Sequence, residues 1–247
     1  MRVNLIDFTG KDTKDETWYA ADVLLFTKST RLTMAPGLMD EIRAWPLEKK
    51  QAELDYMANT IPSSWEFVSY TFLVEGVSRA YTHQQVRTRQ GSYAQQTMRV
   101  LDMGEFDYVF TERNEKDPAA AAIIKQHNRK TQEAYRNLLA LGQPPEDARG
   151  ILPTNIVTNI VCKFNLRTFV DLAKSRTGGR TQGEYQQVLN AMVDEVLRVH
   201  PWAEKFLFQQ GRDHFAEIEA FAKREFPNDL LKKGELLKIV DKMRKGG

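Results

Sequence analysis

Cysteine is almost absent from this chain of 247 residues. Cys162 stands alone, which excludes an internal disulfide framework and any multi-cysteine metal site. Net charge is also scarce, since 35 basic against 33 acidic residues leave only +2, too little for an overall field toward nucleic acid or an anionic membrane surface. Any basic site must therefore be local. No apolar run approaches the ~20 residues of a membrane span. The opening MRVNLIDFTGKDTKDE is charged too early for a secretory signal, and with the single cysteine this gives the expectation of a cytoplasmic protein with no membrane partner. His83, His127, His200 and His214 lack metal-ligand spacing, so no metal is expected. Internal repeats, low-complexity segments and long linkers are missing as well. What is present suffices for a substantial core, with 42% hydrophobic and 10% aromatic residues.

The pattern reads as one α+β domain over 1–247, ending in a helical C-terminal tail over 220–247. MRVNLIDF alternates like a short strand before Thr9-Gly10, and ETWYAADVLLFTK spaces Trp18, Ala21 and Leu25 along a helix face. A helical stretch from Gly37 to Thr60 breaks or restarts at Pro46, and WEFVSYTFLVE is the strongest strand signal. Asp117-Pro118 offers an N-cap and a first-turn proline for a helix that stops near Gly142. NIVTNIVCKFNLRTFVDLAKSR and QGEYQQVLNAMVDEVLRVH read as two further helices; in the second, Val188, Met192, Val193, Val196 and Leu197 form the apolar stripe. Cys162 then falls in an apolar helical context, as inert core.

The stretch THQQVRTRQGSYAQQTMRV, residues 82–100, concentrates arginine, glutamine and hydroxyl groups. A helix starting near Gly76 would stack Arg79, His83 and Arg87 on one face, a repulsive arrangement unless an anion or carboxylate lies among them. The polar run after it suits an extended loop presenting Ser92, Gln95, Thr97 and Arg99. Arginine forks bind phosphate bidentately, and Gln or Thr can read a base edge or ribose. A solvated basic face is the competing reading. A nucleic-acid-binding module is a third, opposed by the near-neutral charge and by having only Tyr81 and Tyr93 as interleaved aromatics.

VEGVSRAYTHQQVRTRQGSYAQQTMRV resembles the signature region of the flavin-dependent thymidylate synthases: Arg-His-Arg, two residues, Ser, then a polar stretch ending in Ser-x-Arg-Tyr. VNLIDFTG, the Glu66 before a strand, RGILP and NLRTFVDLAKSRTGGRTQGE resemble further motifs of that family in the same order. The resemblance implies the family's fold, a central antiparallel sheet with surrounding helices, and a homotetramer with shared sites. It implies a flavoprotein that binds FAD, draws on NADPH and 5,10-methylenetetrahydrofolate, and methylates dUMP to dTMP. Ser63, Arg87, Thr88, Arg89, Gln95, Asn165, Arg167 and Asp171 fall at flavin-binding positions. Gln84, Arg87, Gln95, Gln96, Thr97, Met98, Arg99, Arg149 and Arg176 fall at nucleotide-binding positions, with Arg99 and Arg149 as phosphate partners.

The resemblance also implies that Arg176 lies against the uracil edge as the catalytic cation. Uracil C5 is a poor nucleophile, and a permanent charge at the N3 and carbonyl edge stabilises the enolate-like form that attacks a one-carbon donor. From the residues alone, Arg176 also reads as a helix C-terminal arginine before TGG, and Arg167 as an i,i+4 partner of Asp171. The chain departs from the family pattern at Thr88, Phe67 and Val100, where His, His and Tyr are usual, and at Thr97 in place of Ser. These departures admit a diverged branch that hydroxymethylates dUMP or alkylates UMP or dCMP. Retention of Arg176 favours a uracil ring, since cytosine N3 has no proton to lose.

Overall fold

The computed structural model describes residues 1–30, 32–176, 183–208, 214–227 and 229–246. Four strands form one antiparallel sheet in the order β1-β2-β4-β3: β1 Arg2–Phe8, β2 Ser69–Ser78, β3 Ser92–Gln95 and β4 Val157–Asn165. The helices are α1 Glu16–Ser29, α2 Leu38–Arg43, α3 Leu47–Thr60, α4 Arg79–Gln85, α5 Glu112–Lys116 and α6 Pro118–Ala140. They continue as α7 Pro145–Ala148, α8 Leu166–Arg176, α9 Gly183–Val199, α10 Glu204–Phe208, α11 His214–Glu225 and α12 Leu230–Gly246. The expected α+β class with a central antiparallel sheet is what the chain adopts. Residues 1–207 and 208–247 form two compact units, the second built from α11 and α12.

The sheet buries one face. Along β2 the residues Tyr70, Phe72 and Val74 are buried, and along β4 Thr158, Ile160, Cys162 and Phe164, at the two-residue period of a strand. All of these but Thr158 share one core with Leu24 and Leu25 of α1, Phe169 of α8 and the α9 stripe, in which Val188, Met192, Val193 and Val196 are buried and Leu197 is partly so. The opposite face, including Thr71, Leu73, Asn159 and Val161, is only partly covered. Pairing of β2 with β4 slips between Val74 and Val77, where Gly76 takes φ +68, and its N–H donates to Asn159 Oδ1 at 2.9 Å.

Several expected boundaries move. Val157–Asn165 is a strand where a helix is expected, an ambiguity that arises because Ile156, Ile160 and Phe164 share a face at either period; the helix begins only at Leu166. Cys162 is thus buried on a strand, and burial pushes its thiol up to about 12. Residues Pro62–Phe67 form a 3-10 turn ahead of β2. The β2 strand runs on to Ser78, so α4 starts three residues beyond Gly76 and ends before Arg87. Asp117 caps α6 as its sequence suggests, accepting from the N–H groups of Ala119 and Ala120.

Two buried polar contacts tie helices to this core. Asp22 on α1 meets Lys50 on α3 at 2.7 Å with both side chains more than nine-tenths covered, and Lys50 also donates to the Arg43 carbonyl at 3.1 Å. His200 is fully buried among Phe8, Tyr70 and Trp202. Its Nε2 faces the Glu16 carbonyl at 3.1 Å, which can only accept, so Nε2 carries the proton and Nδ1 accepts from the Tyr70 hydroxyl at 2.9 Å.

Burial holds His200 down at about 4, against an ordinary 6.5. As pH falls from 6.5 toward 4 the unfolded chain takes up a proton that the native ring refuses, so this contribution is intact above 6.5 and lost below. The full loss is about 3 kcal/mol. Asp22, raised above the ordinary carboxylate value by burial, contributes in the opposite direction around its own lower range. Urea unfolding at pH 7 and pH 4.5 should therefore show a smaller pH-dependent loss of stability in His200→Gln than in the unsubstituted chain; equal slopes would refute this role.

Candidate active site

The start of α4 is built from three directions. Ser78 caps the helix, its Oγ accepting from the Tyr81 N–H at 3.1 Å. Glu184 at the head of α9 grips the same residue, accepting from Ser78 N–H at 2.7 Å and from Ser78 Oγ at 2.5 Å. The next two amides, of Arg79 and Ala80, donate to the carbonyls of Ile156 and Thr154. The Arg79 side chain is thereby drawn toward the segment that holds Arg149. Its Nη1 lies 3.4 Å from the Gln96 carbonyl, and its Nε is buried with no partner among the described residues. Burial, and secondly the nearby Arg149, lower the Arg79 pKa from its ordinary value.

Arg99 and Arg149 converge on one residue. Arg99 Nε pairs with the Glu146 carboxylate at 2.7 Å, while Arg149 Nε donates to the Glu146 carbonyl at 3.1 Å. Thr97 Oγ1 accepts from the Arg99 N–H at 3.0 Å, and the Gln96 N–H extends the β3–β4 ladder by donating to the Asn159 carbonyl. Arg79, Arg99 and Arg149 thus form a cationic group beside Gln96 and Thr97, and Met98 is half-buried. Gln95 is committed elsewhere, its Nε2 donating to Thr82 Oγ1 at 2.8 Å and tying β3 to α4.

A second group lies past the other end of α4, whose seven residues rise about 10 Å. Arg87 and Arg89 are exposed and have no carboxylate partner among the described residues, and Thr88 is half-buried between them. Gln90 Oε1 accepts from Thr168 Oγ1 at 3.2 Å, bringing this turn to α8. Asn165 caps α8, its Oδ1 accepting from the Thr168 N–H at 2.8 Å, which leaves the amide nitrogen available. Arg167 pairs with Glu66 at 2.6 Å, replacing the expected contact with the exposed Asp171. Ser63 lies exposed in the turn that carries Glu66, and Gln84 is half-buried near the end of α4.

The sequence-selected residues therefore assemble as two groups joined by α4 and β3. Arg176 is the last residue of α8, but its side chain, like residues 177–180 of TGGR, lies outside the described residues. Sequence reasoning left Arg79, Glu146 and Glu184 off the site. Arg79 was visible only as a cation of a helix face; its burial comes from a segment some 70 residues away, a contact that no local pattern carries. A separate cavity of about 470 Å³ opens beside Gly76, Thr111 and Glu184, and among the described residues none of the selected ones lines it. Among the described residues no three His, Cys, Asp or Glu side chains cluster as a metal site, and no helix is long and apolar enough to cross a membrane.

Residues 4–202 match the family model described as Thymidylate synthase complementing protein. A protein of Nitratidesulfovibrio vulgaris named flavin-dependent thymidylate synthase is 38% identical over 144 residues, covering 55% of this chain and 59% of the relative. One of the same name from Clostridium tetani is 32% identical over 152 residues, 55% of this chain and 61% of the relative. The matched part is thus less than two thirds of either relative's length. A third, from Pyrococcus abyssi, is 30% identical over 202 residues, 80% of each chain. Matched from its first strand through the end of α9, with both arginine groups inside that span, the chain belongs to the flavin-dependent thymidylate synthase family.

Proposed function

We propose that this protein is a cytoplasmic FAD-dependent thymidylate synthase. It methylates dUMP at C5, taking the carbon from 5,10-methylenetetrahydrofolate and reducing equivalents from NADPH. The observation that carries the reading is Arg79, whose Nε is buried with no partner among the described residues and which feels the charge of Arg149, both within the family-matched span. Two guanidinium groups held together at a cost call for an anion, and a phosphate monoester supplies oxygens for both forks. Arg99 joins them by exchanging Glu146 for the phosphate, and Gln84, Gln96, Thr97 and Met98 border the nucleoside.

The second group fits a flavin dinucleotide. Arg87 and Arg89 offer guanidinium groups to its pyrophosphate, Asn165 offers its amide nitrogen, and Ser63, Arg167 and Asp171 complete the border. Bound and reduced, FAD supplies the hydride. Ring activation is left to fixed charge, the task assigned to Arg176 by sequence resemblance. Cys162 is unsuited to addition at C6, because the covered face of β4 buries it and its thiol is held up at about 12. The partly uncovered sheet face and the exposure of Arg87, Arg89 and Arg99 support a homotetramer whose sites combine several subunits.

A hydroxymethyl product is the second reading, favoured by Phe67 and Thr88. Phe67 is 63% exposed beside the Glu66–Arg167 pair, and neither Phe67 nor Thr88 offers the proton-exchanging ring that a histidine would. Anaerobic incubation with NADPH, methylenetetrahydrofolate and dUMP, UMP or dCMP, followed by product mass measurement, separates the readings. A methyl gain on dUMP is expected. A hydroxymethyl gain selects the second reading, and no gain on any of the three rejects both.

Arg79→Ala should weaken dUMP binding by about tenfold to a hundredfold, the loss of a charged hydrogen-bonding partner. Arg79→Lys, which keeps the charge without the fork, should lose less. Unchanged affinity in titration calorimetry would remove Arg79 from the phosphate site. Light scattering should give four times the 28.5 kDa chain mass; a monomer would rule out shared sites.

A further inference from the structure

We infer that Tyr93 is a positioning residue for the arginines of the flavin group, holding the 86–91 turn in its binding shape before any ligand arrives. This rests on the flavin reading above. The Tyr93 hydroxyl lies 2.6 Å from the Thr88 carbonyl and 3.1 Å from the Gln85 carbonyl. A phenol has one proton to donate, so a single group is shared between two carbonyls at successive points of the same turn. The amide of Thr88 donates to the Gln85 carbonyl and that of Gly91 to the Thr88 carbonyl, closing the turn around Arg87 and Arg89.

The anchor is rigid on its other side. Tyr93 pairs with Cys162 across the β3–β4 ladder, and its ring stands edge-on to the buried Phe164, with centroids 5.9 Å apart. The main chain at Gly91 presses directly on this pair. A Cβ there would sit 2.5 Å from the Phe164 ring and 2.6 Å from the Tyr93 hydroxyl. Gln90 meanwhile meets Thr168, the residue whose N–H is capped by Asn165. Arg87 and Arg89 are thus set in one framework with Asn165 and Arg167. Burial pushes the phenol up to about 12, so it stays a donor throughout the working range.

Among the described residues the hydroxyl bonds only the Gln85 and Thr88 carbonyls that frame this turn, whereas the ring and main chain of Tyr93 hold the sheet. Tyr93→Phe therefore leaves the β3–β4 ladder and ring contact and removes the grip alone. Titrated with FAD and followed by flavin fluorescence and absorption, Tyr93→Phe should bind about two- to tenfold more weakly and show an altered flavin spectrum. Its affinity for dUMP, held by the other group, should stay within about twofold. Wild-type FAD affinity in Tyr93→Phe overturns this inference alone, and equal losses for FAD and dUMP overturn it in favour of a purely structural role. An unsubstituted protein that takes up no FAD overturns the flavin reading with it.

Hydrogen exchange of the unsubstituted, FAD-free protein gives a second test that needs no variant. Protection of the Thr88 and Gly91 amides before FAD is added is expected. Free exchange that is slowed only by FAD would mean the turn is not preformed, and would overturn the inference.

Discussion

The antiparallel pairing of β2 with β4 is the constraint from which the candidate site follows. Ser69 opposes Asn165 at one end and Ser78 opposes Val157 at the other, so two segments almost 90 residues apart in the chain share both ends of one ladder. At the Ser78 end the chain leaves as Arg79 and meets the 149–156 stretch. At the Asn165 end it turns into α8 next to the loop that follows α4. Two regions of chemistry are thereby placed by one set of main-chain hydrogen bonds. The bulge at Gly76 adjusts the exit angle, and Glu184 fixes the residue on which the exit pivots.

Electrostatics divides these regions. Around Arg99 the protein carries a counter-charge of its own, since Glu146 gives its carboxylate to Arg99 and its carbonyl to Arg149. Arg79 has no comparable relief at Nε, and desolvation makes its charge more expensive. Around Arg87 and Arg89 solvent provides the screening, and the local main chain rather than charge pairing keeps the turn in place. A cationic group carrying its own carboxylate is therefore set beside an open basic turn, with α4 as the spacer.

Much of this was legible in the sequence, and the failures have physical reasons. The α6 cap at Asp117-Pro118 and the α9 stripe are local signals, which no distant contact overrides. The 155–165 segment misleads because apolar residues four apart satisfy a helix and a strand equally, and because a genuine helix follows with only Asn165 as a break. The site motifs identify residue types and order. They do not tell which groups are already engaged: Gln95 by Thr82, Arg167 by Glu66, Arg99 by Glu146. Such engagements join residues 13, 101 and 47 positions apart, and only folding specifies them.

Tyr93 reaches position 88 through its carbonyl oxygen, an atom common to all amino acids. The identity of the side chain there is consequently uncoupled from loop architecture. An imidazole can give way to a threonine without the backbone noticing, while position 91, hemmed in by two aromatic rings, admits glycine alone. The turn is thus a socket whose frame is set by Tyr93, Gly91 and Phe164 and whose insert at position 88 can be exchanged without rebuilding it.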